Sequence, residues 1–233
     1  MTAEHPELIV ALDVDSRDEA LALRDELADV VDFFKVGKEL FTAVGPRILD
    51  ELADSRVFLD LKFHDIPNTV AGAVRVAARR GVDLIDVHAS GGRAMMDAAA
   101  SAARRAAHPP QVFGVTVLTH LTDEDLADLG IEGGSVAQVV RLARLAARCG
   151  LDGVVASPLE VRSVLEATDG ALDVLVPGVR PHWARESHDQ KRVATPSDVA
   201  RAGARYVVVG RAITRQEDRR EAAKRIVGEL EGS

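Results

Sequence analysis

Three charged side chains, Asp60, Lys62 and Asp65, lie within six positions at the end of a largely apolar run that begins at Val57. Burying charge is costly unless the charge is paired. Strand side chains alternate faces, so Asp60 and Lys62 point one way and Leu61 the other, while Ile66-Pro67 ends the strand and leaves Asp65 in a loop. With Lys35 from another apolar run they make two carboxylates and two ammoniums, each able to stabilise its neighbour's charge. A lysine held charged between carboxylates is a poor nucleophile for Schiff-base chemistry, but it can donate a proton to a strongly basic carbon. Asp60 would repel an anionic substituent placed against it. The bland alternative is a structural ion network with no chemistry.

A second group of residues suits an anion. Val207-Val208-Val209-Gly210-Arg211 puts a glycine and an arginine after one apolar run, and Pro177-Gly178-Val179-Arg180 does the same after another. A glycine lets the backbone approach closely, and guanidinium groups match phosphate oxygens. Gln190 adds a donor in the polar stretch 180–192, within which the loop 180–191 is long for a strand-to-helix connection and is a candidate lid. The alternative for Arg211 is a pair with Glu217 or Asp218. His64, His120, His182 and His188 lack metal-ligand spacing and read as loop or surface residues, so no metal site is expected. His88 reads as a packed structural histidine.

Elements that could position these groups come from periodicity. Short apolar, β-branched runs at 8–14, 33–40, 57–63, 84–89, 112–118, 153–156, 174–179 and 206–210 make eight candidate strands. Helical spacing follows each, at 17–31, 46–54, 70–80, 94–106, 136–148, 159–168, 196–202 and 219–230. Ser16, Asn68 and Pro196 after Thr195 mark helix starts, and Gly81, Gly150 and Gly203 mark ends. Eight strand-helix units with near-continuously apolar strands predict a parallel (β/α)8 TIM barrel, an α/β fold, with an open doubly wound sheet as the alternative. No linker or low-complexity tract divides the chain, so residues 1–233 read as one domain. A barrel places its chemistry at the C-terminal ends of the strands, here Asp13, Lys35, Asp60, Lys62, Asp65, His88, Thr119, Ser157, Arg180 and Arg211.

Composition narrows the function further. The 233 residues, 47% of them hydrophobic, suffice for a full core, and the net charge of −8 argues against general binding to nucleic acid or an anionic membrane. One cysteine, Cys149, permits no intramolecular disulfide and reads as a core residue. No run approaches a membrane span, and the first residues lack the pattern of a signal peptide, so a soluble cytoplasmic protein is expected. Lysine is scarce, five against twenty-four arginines, which singles out Lys62 and Lys35.

At these positions the chain closely resembles the orotidine 5′-phosphate decarboxylase family, whose Asp-x-Lys-x-x-Asp-Ile/Val-Pro-x-Thr signature stands at Asp60 to Thr69. The resemblance extends through Ala11-Leu12-Asp13, Phe34-Lys35-Val36-Gly37, Val87-His88-Ala89, Val117-Leu118-Thr119, Pro177-Gly178-Val179-Arg180, the stretch from Asp189 to Pro196, and Val208-Val209-Gly210-Arg211. Each motif alone is weak; their order and spacing are specific. The resemblance implies cofactor-free decarboxylation of orotidine 5′-monophosphate to uridine 5′-monophosphate. Lys62 would donate the proton to C6, Asp60 would stand against the departing carboxylate, and Lys35 would hold Asp60 and the ribose. Asp13 would bind a ribose hydroxyl, Thr119 would read the pyrimidine edge, and Arg180, Gln190, Gly210 and Arg211 would hold the phosphate. It further implies a homodimer with shared sites, in which Asp65, Ile66 and Thr69 enter the partner's site. Lys38 is a mild departure, standing where an apolar residue is expected.

Two rivals remain at this stage. One is a magnesium-dependent sugar-phosphate lyase of the same superfamily, such as a 3-keto-gulonate-phosphate decarboxylase or hexulose-phosphate synthase; Ile66-Pro67 and the loop carrying Arg180 and Gln190 favour the nucleotide reading. The other is a silent phosphate-binding barrel, against which the full set of charged residues argues.

Overall fold

Strands surrounded by helices must offer alternate residues to the barrel interior and to the helical layer, and these strands divide that way. The computed structural model describes residues 5–184 and 194–232. Its strands are β1 (Glu7–Ala11), β2 (Phe33–Gly37), β3 (Arg56–Phe63), β4 (Leu84–His88), β5 (Gln111–Val115), β6 (Gly153–Val155), β7 (Asp173–Pro177) and β8 (Tyr206–Val209). They close in sequence order into an all-parallel barrel, with β1 paired to β8 from Glu7↔Tyr206 to Val10↔Val209. The single-domain TIM barrel read from the sequence is therefore the fold, and the open sheet is excluded.

Around the barrel lie α1 (Arg17–Leu27), α2 (Lys38–Val44), α3 (Arg47–Glu51), α4 (Pro67–Arg79), α5 (Gly92–Arg104), α6 (Asp123–Asp128), α7 (Gly134–Arg148), α8 (Val161–Ala167), α9 (Pro196–Ala202), α10 (Arg211–Thr214) and α11 (Arg219–Glu231). Caps fix several starts: the Ser16 hydroxyl accepts the Glu19 amide, and Thr195 and Asp198 form a reciprocal capping box ahead of α9. The expected Asn68 start is corrected. Pro67 occupies the first turn of α4, where its missing N–H costs nothing, and Ile66 precedes it with no side-chain cap. Gly81, Gly150 and Gly203 adopt positive φ at helix ends, as expected of glycine there.

Strand ends differ from the sequence expectation. The second strand, expected to reach residue 40, stops at Gly37 and α2 starts at Lys38; the first and fifth end at Ala11 and Val115 rather than at 14 and 118. Leu12, Leu40 and Val117 beyond these ends are buried by loop and helix packing, which composition cannot distinguish from strand.

Two apolar layers result. Inside the barrel, Ile9, Phe33, Phe58, Phe113, Leu175 and Tyr206 belong to one cluster, while outward-facing Val10, Phe34, Leu59 and Val207 join the larger core beneath the helices. Burying each such side chain contributes roughly 1.5–3 kcal/mol. Tyr206 meets Phe33 and Phe113 edge-on, with centroids 5.9 and 5.8 Å away, and its hydroxyl donates to Gln111 at 2.9 Å. At the N-terminal end of the barrel, Glu7 accepts from Arg56 and, at 2.6 Å, from Arg205. Cys149 is buried, and burial together with Asp97 pushes its thiol up to about 11, so it behaves as an inert core residue.

Candidate active site

Interior parity brings the charged residues together at the opposite, C-terminal end of the barrel. Lys35 follows Phe33 on the inner face of β2, Asp60 follows Phe58 on β3, and Asp86 follows Leu84 on β4. Asp13 lies just past β1. Lys35 Nζ donates to Asp13 Oδ1 at 2.8 Å and stands 3.4 Å from Asp60 Oδ2. Lys62 Nζ donates to Asp60 Oδ1 and lies 3.7 Å from Asp86 Oδ2. A continuous chain of alternating charge thus runs from Asp13 through Lys35 and Asp60 to Lys62. Gly37 makes room for it, because a Cβ there would come within 2.7 Å of Lys35 Nζ and 3.1 Å of Asp13 Oδ1.

The route by which Lys62 reaches Asp60 differs from simple strand alternation. The pairing of β3 with β4 steps from Leu59↔Ile85 to Phe63↔Val87, so four positions on β3 face two on β4. Within this bulge Lys62 has φ +51°, in the left-handed region that non-glycine residues seldom adopt. Its amide is diverted from the ladder and donates to Asp86 Oδ1 at 2.7 Å.

Asp86 is completely buried, and among the described residues no hydrogen bond reaches its Oδ2. Sequence reasoning passed over this residue. A signal existed, since a carboxylate in the middle of the apolar run Leu84-Ile85-Asp86-Val87-His88 has inward parity with Leu84 and His88.

Electrostatics give the charged groups distinct roles. Burial alone would raise the Asp60 carboxyl, but Lys35 and Lys62 outweigh it and hold it below the usual range. Burial opposes the Lys62 charge, yet Asp86 and Asp60 outweigh that and keep its ammonium protonated beyond the ordinary lysine value. Burial and then the Asp60 charge push Asp86 well above the carboxylate range. The half-buried His88 ring lies 5.1 Å from His64. Desolvation, followed by His64, Lys62 and Lys38, lowers its pKa to about 4, leaving a neutral packed imidazole.

The remaining predicted residues lie around this network. Gly210 directly precedes α10, whose first residue is Arg211; Arg211 is exposed and forms no ion pair among the described residues, so the alternative pair with Glu217 or Asp218 is absent. The Arg180 amide donates to the Ala194 carbonyl at 3.2 Å, joining the two ends of the long loop. Gln190, His188 and most of the candidate lid lie outside the described residues. Thr119 is exposed beyond β5. Asp65, Ile66 and Thr69 are also exposed, and among the described residues no hydrogen bond or ion pair joins them to the network; Asp65 Oδ1 accepts the Ile66 amide at 2.6 Å, and Ile66 is 67% exposed.

Comparison with known proteins points in one direction. A family model described as "Orotidine 5'-phosphate decarboxylase / HUMPS family" matches residues 6–226. The orotidine 5′-phosphate decarboxylase of Moorella thermoacetica is 48% identical over 232 residues, covering 96% of this chain and 92% of its own. That of Pseudomonas putida is 45% identical over 235 residues, covering 100% of both. Among solved structures, the decarboxylase of Lactobacillus acidophilus superposes with a TM-score of 0.86 at 35% identity, covering 97% of this chain and 99% of that one. The Methanocaldococcus jannaschii enzyme, complexed with the inhibitor BMP, gives 0.79 at 27% identity, covering 97% and 99%.

Proposed function

Because the chain belongs to the orotidine 5′-phosphate decarboxylase family and is a carboxy-lyase of pyrimidine biosynthesis, acting on orotidine 5′-monophosphate, we propose that the network from Asp13 to Lys62 carries the reaction, with Lys62 as proton donor. The observation behind this reading is the Lys62 ammonium paired with Asp60 at the mouth of the barrel. The substrate carboxylate is set against Asp60. The bond from C6 to the carboxylate breaks, CO2 leaves, and the electron pair stays on C6 in the plane of the ring. Lys62 stabilises that pair and transfers an N–H proton to it, giving uridine 5′-monophosphate. Fixed charges thereby replace the electron sink that a cofactor would supply, and no step calls for a metal.

Binding divides among the other residues. Lys35 holds Asp60 and reaches the ribose, and Asp13 accepts from a ribose hydroxyl. Thr119 reads the pyrimidine edge, and Arg180, Gln190, Gly210 and Arg211 hold the phosphate, whose binding energy offsets the crowding at C6. Asp65, Ile66 and Thr69 complete the site of the other copy in a cytoplasmic homodimer.

The test is the loss of ultraviolet absorbance of orotidine 5′-monophosphate with purified protein in EDTA. Conversion by the wild type, and loss of at least about a thousandfold in Lys62→Ala, is the expected result. Restoration of activity by magnesium alone would overturn the metal-free chemistry, and a Lys62→Ala enzyme with normal turnover would remove Lys62 as donor.

A further inference from the structure

Asp86 is a feature of the barrel mouth that the reaction scheme leaves unused. It is fully buried on β4, a strand that otherwise fills the interior with Leu84, and it meets both the backbone and the side chain of Lys62. A buried carboxyl with an unsatisfied oxygen is expensive, and so is a lysine at φ +51°. Each cost accounts for the other. In the bulge the Lys62 amide has lost its ladder partner, and Asp86 Oδ1 supplies one at 2.7 Å.

The second oxygen sets the charge balance. Oδ2 of Asp86 is 3.7 Å from Lys62 Nζ and receives no hydrogen bond among the described residues. A second buried carboxylate here would repel the charge of Asp60, whereas a carboxylic acid would turn the orphaned oxygen into a donor.

We propose that Asp86 is a positioning residue for Lys62: its Oδ1 fixes the Lys62 amide in the left-handed turn, and its Oδ2 stands 3.7 Å from the Lys62 ammonium that the turn presents to Asp60. The inference rests on the reading of Lys62 as proton donor. It makes the bulge the device that aims the proton, and it gives Asp86 the role of holding that bulge. Among the described residues, Asp60 and Lys62 on β3 are the charged groups that act on Asp86; Lys35 on β2 faces Asp60 from its other side, and His88, two residues on along β4, is neutral at neutral pH. β5 presents the apolar ring of Phe113 opposite Asp86 in the register.

Two substitutions test this. Asp86→Leu removes both contacts and is expected to lower kcat on the order of a hundredfold, with a smaller change in KM, because the misplaced group acts in the transition state. Asp86→Asn keeps the acceptor for the Lys62 amide and offers N–H where the carboxylic acid has O–H, so it is expected to rescue most of that turnover. A second measurement needs no activity. Wild-type folding takes up the Asp86 proton, because the folded carboxyl titrates well above its unfolded value, so stability falls as pH rises from about 4 toward the folded value. Asp86→Asn abolishes that loss, and its stability advantage over wild type should widen between pH 5 and pH 8 in denaturant titrations, to a readable difference in midpoint. Parallel wild-type and Asp86→Asn stability curves, or an Asp86→Asn enzyme as impaired as Asp86→Leu, would overturn the proposal. If Asp86→Leu does not fold, the Asp86→Asn comparison still decides. Lys62→Ala measured alongside separates the two ideas, since a nearly inactive Lys62→Ala with unaffected Asp86 variants would leave the donor in place and reject only the role of Asp86.

Discussion

A half-buried imidazole kept neutral links the stability of this protein to acid at a single side chain. His88 titrates near 4 when folded, against about 6.5 when unfolded. Its contribution is therefore complete above about pH 6.5 and is lost as pH falls toward 4, because the unfolded chain takes up the proton first. His88→Gln should lose less stability than wild type between pH 7 and pH 4.5, measured by urea midpoints at each pH. Depressed carboxylates such as Asp60 steepen acid unfolding in both proteins alike, so the difference between the curves isolates the histidine; curves that stay parallel would refute the assignment. At this scale the sequence disclosed Asp13, Lys35, Asp60 and Lys62, because charged residues at apolar strand ends have few inexpensive explanations. It did not disclose Asp86. The significance of that carboxyl depends on a bulge that swings the Lys62 amide toward β4, and Leu61 and Lys62 are ordinary residues that carry no bulge signal.

Between β2 and α2, one missing side chain governs the site. Gly37 has φ −92°, which any residue adopts, so its glycine is required by space and not by backbone. A methyl group there would occupy the place of Lys35 Nζ, the far end of a flexible chain that can swing away at little cost to folding. Gly37→Ala is thus expected to melt within about 1 kcal/mol of wild type while losing at least tenfold in kcat/KM. A thermal melt beside a steady-state assay checks both halves, and normal activity would mean that Lys35 tolerates displacement. Elements with strong periodicity were legible from sequence, including all eight strands. Three short helices, α2, α6 and α10, were not: α2 continues an apolar run across Gly37, and the four-residue α10 spans barely one turn, whereas the seven-residue α9 was legible with its exact bounds. For α6 the cue was present, since Thr122 and Asp125 form a capping box, but the acidic run after it has too few apolar positions to define a face.

Taken as a whole, the protomer leaves Asp65, Ile66 and Thr69 facing outward, away from its own charge network. The proposed homodimer with shared sites would give them a purpose. Mixing Lys62→Ala with Asp65→Ala subunits should then restore activity, because one of the two sites in each heterodimer escapes both lesions, giving about half the wild-type turnover per heterodimer. Verified heterodimers without recovery would place Asp65 in its own barrel's site or outside catalysis. Whole-chain architecture was the most legible scale, because eight repeated strand-helix units admit few other arrangements. The proposed contact between copies left a fainter mark, an exposed isoleucine beside a carboxylate.

The seam where β1 meets β8 governs the protein's birth on the ribosome. Ile9 and Val10 emerge early, yet their partners Val208 and Val209 are about two hundred residues later, with the proposed phosphate grip of Gly210 and Arg211 just behind them. A nascent chain halted before that point holds its Asp60 and Lys62 on a barrel still open along one side, with β1 as a bare apolar edge. Such a fragment is inert and adhesive together, so translational stalling would yield clients for chaperones and not partly active enzyme.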